Sequence, residues 1–167
     1  MTEIDQIINA LELKPHPEGG FYKETYRSDG VIKKESLGTD FEGSRNYSTC
    51  IYFLLTSEHF SAFHKIHQDE IWHFYKGSSM VLHIISKAGE YKTVNIGNDF
   101  AKGEVPQYVV NAGDYFAAEV PHENAYVLVG CTVSPGFDFR DFIMPTRSEL
   151  KVLYPKHKDV IQRLSRD

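Results

Sequence analysis

Residues 2–13 repeat Ile4, Ile7, Ile8 and Leu11 at helical spacing behind Thr2, a candidate N-cap, and this predicts one short opening helix. The stretch Leu13-Lys-Pro-His-Pro-Glu-Gly-Gly20 stops it with two prolines and a glycine pair. From Phe21 the period changes. Short runs rich in aromatic and β-branched residues follow one another, among them Phe21–Arg27, Arg45–Thr56, Phe60–His67, Glu70–Tyr75, Ala125–Ser134 and Phe137–Met144. Turn signals such as Lys76-Gly77-Ser78, Asn111-Ala112-Gly113-Asp114 and Ser134-Pro135-Gly136 separate them. About ten strands at this spacing, with no helical pattern between them, predict antiparallel sheets closed into a sandwich or barrel. After Pro145, Thr146 with Glu149 resembles a capping box, and Val160, Ile161 and Leu164 form an apolar stripe, so a terminal helix is expected to cover a barrel edge. There is no internal repeat or linker, and residues 1–167 read as one domain.

Composition narrows the partners. Hydrophobic residues make up 41% and charged residues 25%, a globular balance, and the aromatic share of 13% suits β-structure. The net charge of −5 and the lack of any Lys/Arg-rich run argue against nucleic acid. No apolar run approaches a bilayer span and the first residues do not resemble a secretory leader, so no membrane partner and a cytoplasmic location are expected. Cys50 and Cys131 lie in apolar runs outside any CxxC pair and are expected to be free core thiols. Asn46-Tyr-Ser48 fits a glycosylation sequon, a chance match in a cytoplasmic chain. Fingerprints of dinucleotide or P-loop binding, serine hydrolysis and zincin proteolysis are all missing.

Strand parity selects the candidate chemistry. In Phe60–His67, His64 shares a face with Phe60, Ala62 and Ile66, and in the next run Glu70 shares one with Trp72 and Phe74. A carboxylate on an apolar, inward face needs a partner: a cation, a metal, a histidine, a ligand or a structural hydrogen bond. Tyr22, Glu24 and Tyr26 share one face of Phe21–Arg27, opposite Lys23, Thr25 and Arg27. That polar segment offers either ligand contacts, with Arg27 as a bidentate clamp, or a charged edge strand or dimer contact. Pro135–Phe142 reads as a strand closing the barrel with its phenylalanines as packing.

The stretch from His64 to Gly77, histidines, then Glu70, then a glycine seven residues on, resembles the first cupin motif. Pro17–Tyr22 with Glu24–Arg27, Asp69–Tyr75, Gly103–Gln107 and Cys131–Phe142 resemble the Cupin_5 family, a domain of unknown function, over about residues 15 to 142. The resemblance implies an all-β cupin double-stranded β-helix, a jelly-roll barrel with short N- and C-terminal helices, homodimers and a pocket lined from the motif strands; it implies no reaction. Two departures from the metal-binding cupin pattern stand out. Ile66 replaces the second motif histidine, with His67 one position off, and Glu119, Pro121 and Asn124 stand where Pro, Gly and the final His are expected. His64 and Glu70 supply two ligands of a divalent metal site that needs three or four, with His73, His83 or His122 unplaced as a third.

Three functions are therefore open. In the first, the barrel binds a small molecule and acts as a metal-independent epimerase or isomerase, with His64 as base, Glu70 orienting it or the ligand, Trp72 and Phe74 stacking on the substrate, and Tyr22 or Tyr126 as acid. In the second it is a metal-dependent dioxygenase or isomerase. In the third it is a binding or scaffold protein.

Overall fold

A computed structural model describes residues 1–167. The opening helix α1 (Glu3–Leu11) is capped by Thr2 and Asp5 in a capping box. Twelve strands follow: β1 (Lys14–Pro15), β2 (Phe21–Arg27), β3 (Val31–Ile32), β4 (Arg45–Asn46), β5 (Thr49–Thr56), β6 (Phe60–His64), β7 (Asp69–Gly77), β8 (Met80–Ile85), β9 (Tyr91–Ile96), β10 (Gln107–Val110), β11 (Tyr115–Glu119) and β12 (Tyr126–Ser134). Two helices, α2 (Arg147–Leu153) and α3 (Lys158–Leu164), end the chain, α2 with the capping box formed by Thr146 and Glu149.

A six-stranded sheet, β1-β2-β5-β12-β7-β10, faces a four-stranded sheet, β6-β11-β8-β9, with every neighbouring pair antiparallel; β3 and β4 form a separate ribbon. Between the sheets lies a core built from Phe53, Leu55, Trp72, Leu82, Ile84, Phe116, Val127, Val129 and their neighbours. A second cluster joins the outer face of the four-stranded sheet, Phe63, Ile85, Tyr115 and Ala117, to Leu150, Ile161 and Leu164. The terminal helices thus cover a sheet face rather than an edge, each buried leucine or isoleucine contributing roughly 1.5–3 kcal/mol.

Two departures from strict alternation decide which side chains point inward. Glu24 pairs with Ile51 but Tyr26 with Cys50, so Thr25 is an extra residue in β2. This bulge returns Arg27 to the inner face beside Glu24 and sends Tyr26 outward. In β6, Ser61 pairs with Ala118 and His64 with Phe116, one extra residue against β11. Phe60 and Phe63 therefore both pack in the helix-covered cluster while His64 turns into the barrel against Phe116.

Two readings are corrected. Pro135–Phe142 is not a strand but a loop with one 3-10 turn, Phe139–Asp141. It is held by the buried Arg45–Asp141 pair, with Gln68 Nε2 donating to Asp141 at 2.8 Å and to the Gly136 carbonyl at 3.2 Å, and these side-chain bonds replace a ladder. Cys50 is half-buried on the outer face beside Thr132, 3.5 Å away, because β5 alternation gives the inner positions to Thr49 and Ile51; Cys131 is buried, and both thiols are free. No helix is long and apolar enough to cross a membrane.

Candidate functional site

Cross-strand register assembles the site. One inward row across the six-stranded sheet runs Arg27, Thr49, Val133, Glu70 and Val110, and the next runs Glu24, Ile51, Cys131, Trp72 and Tyr108. The β2-side portions of these rows, together with β6 and the loop after β12, enclose a pocket of about 790 Å³ whose lining includes Tyr22, Glu24, Arg27, His64, Ile66 and Glu70. Its size falls in the range of small-molecule sites.

Two of its inner groups come from the segment that ends the opening helix. Gly19 and Gly20 both adopt positive φ, +111° and +76°, and a Cβ on Gly19 would lie 2.0 Å from the Phe60 carbonyl oxygen. The glycine pair therefore lets His16 and Glu18 fold into the barrel mouth. The Ala62 amide donates to the Glu18 carbonyl at 2.8 Å, and Arg166, stacked over Phe60, donates to the same carbonyl at 3.2 Å. Neither His16 nor Glu18 stood out in the sequence as a site residue; the signal that could have found them was a histidine and an acid against a glycine pair.

Hydrogen bonds set the protonation states. His64 Nδ1 donates to the Ala62 carbonyl at 2.7 Å and Nε2 faces Glu18 Oε2 at 2.8 Å. A carbonyl only accepts, so Nδ1 carries a proton, and a second proton on Nε2 completes an imidazolium–carboxylate pair. Burial opposes both charges, but the pair outweighs it: the Glu18 charge raises His64, and the charge and hydrogen bond of His64 lower Glu18. His16 Nδ1 accepts from the Glu18 amide at 3.2 Å, which places its one proton on Nε2; burial, helped by the His64 charge, keeps it neutral against the pull of Glu18. Burial and the Glu18 charge raise the Glu70 carboxyl to about 7, against the opposing His64 charge. Burial and the charges of Glu70 and Glu18 hold the Cys131 thiol protonated.

Aromatic rings close the walls. The His64 ring lies between Phe116 and Phe142, centroids 4.2 and 5.1 Å away, and His16 packs on Tyr22 at 4.5 Å and on Phe139 at 6.1 Å.

Of the residues singled out from sequence, His64, Glu70, Tyr22, Glu24 and Arg27 meet in this pocket. Arg27 is not a clamp open to a ligand: it grips both Glu24 oxygens at 2.9 and 2.8 Å and also donates to Asn46 Oδ1 and the Phe137 carbonyl. Trp72 and Phe74 do not line it. Trp72 sits two residues, roughly 7 Å, along β7 from Glu70 and is packed between Phe53 and Phe116, while Phe74 packs on the same core. Tyr126 lies at the far end of β12, paired with Thr56. The unplaced histidines also lie elsewhere. His73 bonds Thr132 on the outer sheet face, His83 bonds Tyr91 and Glu119 beneath α3, and His122 is exposed beside Ser79.

The model of Cupin_5, described as cupin superfamily (DUF985), matches residues 5–145. The chain belongs to the Cupin_5 family. An uncharacterised protein of Saccharomyces cerevisiae, YML079W, is 32% identical across 94% of this chain and 83% of its own length. A hypothetical protein from Leishmania major superposes with a TM-score of 0.91 at 35% identity, covering 99% of this chain and all of that one. Protein SO0799 from Shewanella oneidensis does so with 0.87 at 42%, covering 99% of each. Oxalate decarboxylase from Bacillus subtilis matches at 12% identity and a TM-score of 0.57 over 96% of this chain and 39% of its own, a likeness of fold. The architecture is the cupin barrel with short terminal helices.

In this Cupin_5 chain the donor set does not fit a metal. His64 and Glu70, the two candidate ligands, gain no third: no three His, Cys, Asp or Glu side chains are grouped as a metal requires. Both His64 nitrogens are engaged, Nε2 by Glu18, so the lone pair a metal would take is already used.

Proposed function

We propose that this cupin binds a small carbonyl compound in the pocket and moves a proton on the carbon next to the carbonyl, as an isomerase or epimerase without a metal. The observation that carries the reading is the division of labour at the pocket base. Glu70 is in no ion pair, has the protonated Cys131 thiol as its side-chain partner, lines the cavity and has its carboxyl raised to about 7, where one group both takes and returns a proton at neutral pH. His16 is neutral and presents Nε2–H, a donor suited to a carbonyl oxygen that becomes an enolate; a carboxylate base with a neutral imidazole is an established pairing for such chemistry. The role first expected of His64 passes to Glu70, because both His64 nitrogens are occupied. His64 instead holds Glu18 and supplies a fixed positive charge under the site.

The test is deuterium exchange. Purified protein in D2O is incubated with small ketones, keto acids and nucleotide sugars, and loss of the α-proton is followed by NMR. Protein-dependent exchange should fall about 100-fold or more in Glu70→Gln. A compound that binds in the pocket yet exchanges no faster than in buffer would leave a binding pocket and overturn the catalytic reading.

We also propose that the chain forms a homodimer through the outer face of the six-stranded sheet. That face presents Tyr26, Tyr75 and Val109 at 56%, 49% and 42% exposure, with Ile71 half-buried among them.

A further inference from the structure

We infer that the ligand of this pocket is a ring-bearing monoanion, a 2-oxo acid with an aromatic or alicyclic side group, whose acid group meets Lys14 at the rim. The inference rests on the proton-transfer reading only for the position of the carbonyl.

The pocket's charges are nearly all spoken for. Lys23 is paired with Glu12, Arg27 with Glu24 and His64 with Glu18. Lys14 is the one lysine or arginine of the lining with no carboxylate within ion-pair distance. It stands on β1, opposite Tyr22 across the pairing with β2, so strand geometry holds its backbone at the mouth. A single unpaired cation neutralises a single ligand charge. The rim carboxylates Glu12, Glu24 and Asp138 already hold Lys23, Arg27 and Arg140, so no second free cation meets the other charge of a diphosphate, which disfavours a nucleotide sugar.

The walls specify a ring. Phe137, Phe139 and Phe142 stand edge to face, with centroids 4.9 Å apart for Phe137 and Phe139 and 5.8 Å for Phe139 and Phe142. Phe139 remains 49% exposed, leaving its surface for a flat apolar group. A 2-oxo acid also satisfies the inner groups. Glu70 takes the proton from the carbon beside the keto group, the C–H pair becomes the C=C bond, and the carbonyl π pair goes to oxygen beside His16 Nε2–H. Returning the proton from Glu70 to that carbon restores the keto form, so nothing is oxidised or reduced.

Phenylpyruvate, phenylacetone and UDP-glucose serve as probes, with binding measured by calorimetry on the full chain and on Lys14→Ala and Lys14→Arg. Phenylpyruvate should bind most tightly, weaken about fivefold in Lys14→Ala and recover in Lys14→Arg. Phenylacetone, lacking the acid group, should bind more weakly and be indifferent to Lys14. Tighter binding of UDP-glucose, or phenylpyruvate binding that ignores Lys14, overturns the inference. Phenylpyruvate that binds through Lys14 but exchanges no proton upholds this ligand class and overturns the catalytic reading instead.

Discussion

Glu70 shows how one inward carboxyl couples function to stability. Its carboxyl titrates near 4.5 in an ordinary setting and near 7 in the fold, because burial and Glu18 disfavour its charged form. The folded chain therefore holds a proton that the unfolded chain has lost between these values. The stability tied to this group is complete below about pH 4.5 and falls as the pH rises through 7. At 1.36 kcal/mol per pH unit the loss is about 3 kcal/mol. Glu70→Gln removes the titration, so urea unfolding at pH 5 and pH 8 should show the variant gaining about 3 kcal/mol on the parent between the two. An equal difference at both pH values would mean that Glu70 is solvated like a surface acid. Glu70 and His64 were legible from parity because each is a polar residue on an apolar strand face. Glu18 and His16 were not, since they lie in a loop where alternation carries no information and only tertiary folding brings them to His64.

At the scale of elements, the strands and caps follow from local chemistry, while irregular pairing and the loop after β12 do not. Alternation placed Arg27 opposite Glu24, and the extra residue Thr25 reverses that. Such bulges are set by the partner strand and leave little trace in composition. Likewise Phe137, Phe139 and Asp141 alternate as a strand would, yet Asp141 is drawn onto the buried Arg45 guanidinium at 2.7 and 2.8 Å. That pair fixes the wall on which the ring of the proposed ligand would rest. Asp141→Ala leaves Arg45 buried without its partner and should cost about 3–5 kcal/mol in denaturant unfolding. Asp138→Ala breaks a pair with Arg140 that is 30% and 51% exposed, and should cost under about 1 kcal/mol. Equal losses would show that the loop is held by its phenylalanines rather than by the buried ions.

The whole molecule is asymmetric in how its sheets are covered. Helices α2 and α3 bury the outer face of the four-stranded sheet, but the corresponding face of the six-stranded sheet keeps a row from Tyr26 through Cys50, Thr132 and Ile71 to Val109. The dimer proposed above covers this row, and a two-fold pairing would place the same patch of each copy against the other. The pocket opens on the inner side of the same strands, so pairing would stiffen β2 and β7, which carry Glu24, Arg27 and Glu70, without blocking the mouth. Val109→Lys tests this cleanly. Val109 is 42% exposed on β10, at the sheet edge, so the change should alter the stability of one chain by no more than about 0.5 kcal/mol. Light scattering should give twice the 19.1 kDa chain mass for the parent and close to one chain mass for the variant. A parent chain that is monomeric at micromolar concentration, or a variant that remains dimeric, would move the contact off this face.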